Sequence, residues 1–267
     1  MKSFAPGVLA LTTALLLAPK LAWAQQDSAA AQPKHPENWG MWAVSVGYGR
    51  YAEEAMSLAG SNIGLHAQWR HPFDLSQWTI QAQALVGAPN YTSTVSGNLD
   101  RRKTWETAWR VLYEHPDKLP WGLNGQLQTG LELQSYYNDL RGLTSNGHAG
   151  YERERLGLWA VAGYQKSLSH PQAFGLQGWN LEVALLLKGV AVSHLSQVSS
   201  AYTDTKNQQN HGFSLRAERR YRSDWGDFVP YIGMTKLKDS ERQNSGAVSV
   251  IEPSNTHLQL GVKWFWR

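Results

Sequence analysis

No cysteine occurs among the 267 residues of this chain. Disulfide staples and thiolate metal centres are therefore excluded. Charge is sparse and nearly balanced, with 17% Asp, Glu, Lys and Arg and a formal net charge of +4. Removing Lys2 and Lys20 with an N-terminal signal lowers that surplus further, so a nucleic-acid partner is not expected. Beyond the first two dozen residues the chain has no long apolar run, and its mean hydropathy is −0.44. A helical membrane span, which needs roughly 20 apolar residues, is not expected either. Also missing are H-E-x-x-H, a P-loop and any clustered metal ligands, so neither a metal nor an organic cofactor is expected.

The N-terminus reads as a secretory signal. Lys2 gives a basic start, Val8 to Leu17 is apolar, and Ala22-Trp23-Ala24 fits an A-x-A cleavage site. Residues 1–24 are assigned to that signal and residues 25–38, polar and holding two prolines, to a flexible periplasmic lead-in. Residues 39–267 form one domain.

That domain is built from alternating segments, and alternation with a period of two is the mark of a strand with two unlike faces. The segment 258–267 places Leu258, Leu260, Val262, Trp264 and Trp266 on one face and Gln259, Gly261, Lys263, Phe265 and Arg267 on the other. Similar segments start near Trp42, Ile63, Trp78, Trp105, Leu123, Tyr151, Trp179, Phe213 and Phe228, with uncertain phase near Tyr151 and a weakening Pro230 in the ninth. The sum is about ten. Linkers alternate between long and polar (52–61, 88–103, 138–150, 190–211, 238–255) and mostly tight, with 166–177 as an exception. Aromatics flank the tight turns. Trp69, Trp78, Tyr113, Trp121, Tyr164, Trp179, Tyr221, Trp225, Trp264 and Trp266 read as a periplasmic girdle, and Tyr48, Trp105 and Tyr137 as an outer one. The pattern predicts an all-β fold, an antiparallel up-and-down transmembrane β-barrel of the Gram-negative outer membrane. A soluble lipocalin-like barrel shares the alternation but turns its apolar face inward.

If the apolar face meets lipid, the lumen receives His66, Arg70, Glu106, Arg110, Glu114, Glu132, Glu182, Lys188, Arg216, Glu218, Arg220 and Lys263. Small residues on the first strand (Ala43, Ser45, Gly47, Gly49) leave room for them. Pairing the fourth and fifth segments across an assumed tight turn puts Glu106 near Glu132 and Arg110 near Gln128. This predicts a lumen plugged by a Glu106–Arg110–Glu132 network.

Three roles fit such a chain: a closed barrel with structural or surface-binding loops, a small pore for ions or solutes, and an outer-membrane enzyme. The enzyme signals are thin. Omptin proteases place aspartate and histidine-aspartate pairs at the rim, but Asp139, Asp204 and Asp239 have no histidine partner identifiable by spacing. Lipid A deacylases use His-x-Ser plus a glutamate. His194-Leu-Ser196 has the spacing, without a glutamate at a comparable distance. No catalytic residue is assigned. Expected partners are outer-membrane lipid and lipopolysaccharide and the outer-membrane assembly machinery; the extracellular ligand is open.

At Gly150-Tyr-Glu-Arg-Glu154 and Ile251-Glu-Pro-Ser-Asn-Thr256 the chain resembles a loose group of proteobacterial outer-membrane β-barrel proteins, many of unassigned function. In that group a Tyr-x-Arg-Glu element opens a central strand and a Glu-Pro-x-Asn-Thr element leads into the last one. The resemblance implies fold and compartment, not an activity. Such barrels usually end on an aromatic residue read by the assembly machinery. Here Trp266 is followed by Arg267, a shift of one place.

Overall fold

The computed structural model describes residues 39–73, 76–115, 125–172, 176–246 and 248–266. The signal, the lead-in, Trp121 and Arg267 lie outside the described residues. Ten antiparallel strands close into a barrel: β1 (Trp39–Ala52), β2 (Met56–Phe73), β3 (Ser76–Gly87), β6 (Lys103–Glu114), β7 (Gln126–Asp139), β8 (Glu152–Gln172), β9 (Leu176–Ser193), β11 (Gly212–Ser223), β12 (Gly226–Leu237) and β15 (Asn255–Phe265). Going round, the order is β1-β15-β12-β11-β9-β8-β7-β6-β3-β2, and β1 pairs with β2 to shut the ring. Five short strands stand beyond one end: β4 (Asn90–Ser93), β5 (Gly97–Leu99), β10 (Thr205–Gln208), β13 (Gln243–Ser245) and β14 (Val248–Val250). The end carrying them is the outer end, because barrels of this kind have long outer loops and short periplasmic turns.

Two expected linkers prove to be largely strand. The turn between β1 and β2 spans only residues 53–55, so most of the 52–61 segment is paired. The 166–177 exception disappears in the same way, since β8 runs to Gln172 and β9 starts at Leu176. The β11–β12 turn is tight, and Gly226 adopts a φ of 137° there, a conformation that disfavours any side chain.

The two faces divide cleanly by polarity. Val46, Ile63, Leu65, Val86, Leu131, Leu133, Leu181, Leu185, Ile232 and Leu260 are exposed on the outside. Glu106, Glu114, Gln128, Glu132, Glu182 and Lys263 are buried on the inside. A soluble barrel inverts this arrangement, and an apolar exterior of this extent needs lipid as its solvent. Rings gather at the edges of the apolar band. The Trp78–Tyr113 and Tyr164–Trp179 centroids are each 5.1 Å apart, and Phe228–Trp264 are 5.8 Å apart. At the outer edge Trp105 lies 5.5 Å from Tyr137. Trp69 and Trp266 are exposed on the same wall, Tyr221 pairs with Phe228 in register, and Trp225 projects from the β11–β12 turn itself, where its carbonyl accepts from Trp264 Nε1 at 3.2 Å.

Val183 sits mid-strand on β9 between Trp179 and the outer rim, facing lipid. Val183→Arg should destabilise the folded barrel in lipid vesicles by about 2–4 kcal/mol, the cost of a cation near the bilayer midplane. Equilibrium denaturant unfolding reads it; an unchanged midpoint would contradict the assignment of this face to lipid.

Candidate functional site

The lumen is where the strands bring polar side chains together. Arg110 on β6 faces Glu132 on β7 as a direct register pair, and the two form a salt bridge. The same guanidinium donates from Nη1 to Glu182 on β9 at 2.8 Å. Asn180 donates to the other Glu182 oxygen at 2.7 Å. On the facing wall Lys263 Nζ lies 2.5 Å from Glu218, and Arg216 Nε lies 3.7 Å from that carboxylate. Arg216 also donates to Gln83 at 3.2 Å, reaching from β11 to β3 across the full width of the barrel. His66 Nε2 is 2.8 Å from Ser45 Oγ.

The register corrects the expected plug. Glu106 pairs with Tyr136, not Glu132, and Arg110 pairs with Glu132, not with Gln128. The β6–β7 hairpin is centred two residues further along the chain than assumed, which moves every β7 partner along by four residues, two layers on one face. Glu106 therefore sits apart from Arg110. It is 4% exposed and accepts from Gln134 at 3.0 Å, Gln83 at 3.4 Å and Gln259 at 2.8 Å. Glu114 accepts from Thr79 and Gln128, at 3.1 and 2.9 Å. Arg70 and Arg220 line a cavity of about 160 Å³ nearer the periplasmic end, with Gln68, Gln128 and Gln165. Arg220 lies over the Phe265 ring at 5.6 Å.

Lys188 is the residue assigned to the lumen that the structure places elsewhere. Leu158 pairs with Lys188 but Trp159 pairs with Leu186, so Leu187 is a bulge. One extra residue shifts the side-chain phase. Leu187 and Lys188 are both exposed, and Gly189 and Ala191 take the inward positions. The signal was present in the sequence: three consecutive leucines, Leu185 to Leu187, cannot belong to one alternating face.

Sequence reasoning missed two further groups. One is an apolar cluster inside the barrel, Leu112, Trp159, Val161, Ala184, Leu186 and Leu237, hidden by the uncertain phase of β8. The other closes the outer mouth. Arg153 on β8 bridges Glu53 at 2.7 Å and Glu252, and Ser193 donates to the same Glu252. The two short motifs that carry the sequence resemblance thus meet through Arg153 and Glu252. Asn207 donates to the Glu241 and Val250 carbonyls, and Gln209 donates to the Lys238 carbonyl, tying the outer segments together.

His194 does have an aspartate partner, in contrast to the reading from spacing. Its Nδ1 is 3.0 Å from Asp204. Ser196 Oγ, however, donates to Asp204 at 2.6 Å, and Nε2 of His194 faces Glu154 at 3.7 Å. A histidine activates a serine by accepting its proton. Here the hydroxyl is bonded to the carboxylate, so the set lacks the wiring of a nucleophile.

The geometry defines a ten-stranded transmembrane β-barrel of the outer-membrane type, with a polar, filled lumen. No protein-family model matches the chain, and no curated protein matches it. Among solved structures it is similar to the outer membrane protease OmpT from Escherichia coli, with 8% identity and a TM-score of 0.49, covering 86% of this chain and 97% of that one. It is also similar to neisserial surface protein A, with 11% identity, a TM-score of 0.35 and coverages of 85% and 98%. A third is the translocator domain of the autotransporter NalP from Neisseria meningitidis, with 12% identity, a TM-score of 0.41 and coverages of 84% and 88%. The fold assignment rests on the strand pairing of this chain.

Two outcomes follow. Arg110→Ala leaves Glu132 and Glu182 buried without their cation, and should destabilise the barrel by about 3–5 kcal/mol. Combining it with Glu132→Gln and Glu182→Gln should recover much of that loss; denaturant titrations of both variants measure it. At the mouth, burial pushes the Glu252 carboxyl up, but Arg153 and the Ser193 hydroxyl outweigh this and hold it below its ordinary 4.5. The stability this adds is present above pH 4.5 and is lost as the pH falls through the lowered value. Amide hydrogen exchange across residues 240–256, corrected for intrinsic rates, should therefore accelerate in acid. Glu252→Gln should exchange fast already at neutral pH.

Proposed function

We propose that this protein is a closed outer-membrane barrel that acts through its outer surface, in a structural or surface-binding role, and does not pass solutes. The contact that carries this reading is Arg216 to Gln83, at 3.2 Å, joining opposite walls. Gln259 and Glu106 make a second such contact higher in the lumen, at 2.8 Å. Side chains that reach across the lumen leave small spaces, of about 160 Å³ by Arg70 and Arg220, about 50 Å³ around His66, Arg110 and Lys263 and about 40 Å³ beside Tyr136 and His257. Such spaces hold a few waters, not a conduction path.

In this reading the chain is exported by its N-terminal signal, cleaved after Ala24, and inserted by the outer-membrane assembly machinery. The outer segments, held by the Arg153–Glu252 bridge, then form a fixed platform, and surface loops on a rigid scaffold are where recognition concentrates.

Barrel isolated from outer membranes should have the mass of a chain starting at Gln25. In planar bilayers it should give almost no single-channel current. Arg216→Ala together with Gln83→Ala should open a small conductance. Steady current from the unaltered protein would make a small pore the better reading.

A further inference from the structure

With Lys188 turned out of the lumen, three outward cations stand on one half of the outer rim: Arg50 on β1, Lys236 on β12 and Lys188 on β9; among the other outward cations on barrel strands, Lys103 on β6 belongs to the opposite half and Arg219 on β11, beside Trp179, to the inner end. All three are exposed. None takes part in a salt bridge among the described residues.

The register puts them at one height. A row of paired residues starting at Tyr48 passes through Leu260, Ile232, Ala217 and Leu181 to Tyr164, from the outer aromatic ring to the inner one. Rows therefore descend from β1 toward β8. The row through Arg50 passes Leu258, Met234, Leu215 and Val183. Lys236 stands two residues above Met234 and Lys188 five above Val183, so the climb along each strand offsets the descent of the row. On the strands between them the row partners of Lys236 are Thr256 and Phe213, so no carboxylate interrupts the arc. The opposite side of the rim differs: it carries Trp105 and Tyr137 at this level, and the lone outward lysine above them, Lys103, pairs in register with Asp139, with Asp139 and Glu152 held by Arg141.

Directly below the cations the wall is apolar, with Leu185 at 59% and Leu187 at 53% exposure and Ile232 and Leu260 beside them. Successive cations are two strands apart, roughly 10 Å at normal strand spacing. A single inorganic ion cannot bridge that distance. An amphiphile with more than one phosphate on its headgroup can, with its acyl chains lying on the leucines below. Ammonium and guanidinium groups pair strongly with phosphate, and at a membrane surface each basic residue adds about fivefold in affinity.

We propose that Arg50, Lys236 and Lys188 form a docking arc for the phosphorylated glycolipid of the outer leaflet. The inference rests on the membrane reading above and adds to it a position and a headgroup chemistry. The rim then has two unlike halves, one with three cations clear of carboxylates and one where aromatic rings and carboxylates surround its single lysine.

The probe is bisphosphorylated lipid A, mixed into phosphatidylcholine nanodiscs holding the full barrel. Native mass spectrometry after gentle release counts the retained lipid. The wild type should retain lipid A in preference to phosphatidylcholine and to the same glycolipid stripped of its phosphates. Retention by the R50Q/K188Q/K236Q variant should be on the order of a hundredfold weaker. K188R/K236R, which keeps the charges, should behave as wild type, and it guards against a triple variant that fails to fold. Undiminished retention by a folded triple variant overturns the arc, as does equal retention of the dephosphorylated glycolipid. Displacement by millimolar inorganic phosphate would indicate a free-anion site and overturn it too. A wild-type barrel that shows no heat-modifiable folded band in any nanodisc would instead overturn the membrane reading itself.

Discussion

Everything in this molecule depends on β1 pairing on both of its edges, with β15 on one side and β2 on the other. In hydrocarbon an unpaired backbone amide has no water to turn to, so a sheet can cross a membrane only when it has no free edge. Closure also forces a choice at every residue between inside and outside. Two solvents, lipid and a narrow polar lumen, then act on alternate positions of the same strand. The apolar exterior and the ionic interior are two consequences of that one constraint.

The interior shows what a barrel of this size must do with charge. Ten strands enclose a space that long side chains can span. Carboxylates inside it must be met by cations or amide donors, since an uncompensated buried charge is costly. Arg110 meets two glutamates, Lys263 and Arg216 share one, and Glu106 is held by three glutamines in place of a cation. The small residues of β1 make this possible. A Cβ on Gly47 would lie 2.9 Å from the Asn62 side chain and 3.1 Å from the Tyr231 hydroxyl.

The barrel itself was legible because alternation is local: the faces of β1, β2, β3, β6, β7, β11 and β15 follow directly from their residues, while Pro230 weakened the pattern of β12. Register was not legible, because it depends on where each hairpin is centred, and a centre displaced by two residues between β6 and β7 misplaced the partner of Glu106 by two layers. Contacts between distant strands, such as Arg153 with Glu252, depend on closure and cannot be read from any single segment. The phase of β8 was lost because Trp159 and Val161, both apolar, point into the lumen beside Leu186. An apolar patch within a polar face erases the contrast on which the reading depends.

The bulge at Leu187 reaches beyond its own strand. It acts as a parity change: below it odd-numbered residues of β9 face lipid, and above it even-numbered ones do. β8, on one side, keeps a single parity past the bulge, because two residues of β9 oppose one of its own there; the neighbour on the other side changes parity as β9 does. β11 turns Phe213 and Leu215 outward, whereas β10 turns Lys206 and Gln208 outward. β9 takes the change within one strand through its bulge, whereas on this neighbour the change falls in the break at residues 209–211. There Gln209 is buried, and its backbone N–H still donates to the Gly189 carbonyl opposite. The bulge on β9 and the break beside it thus lie at one height, the height at which the outer segments separate from the barrel wall.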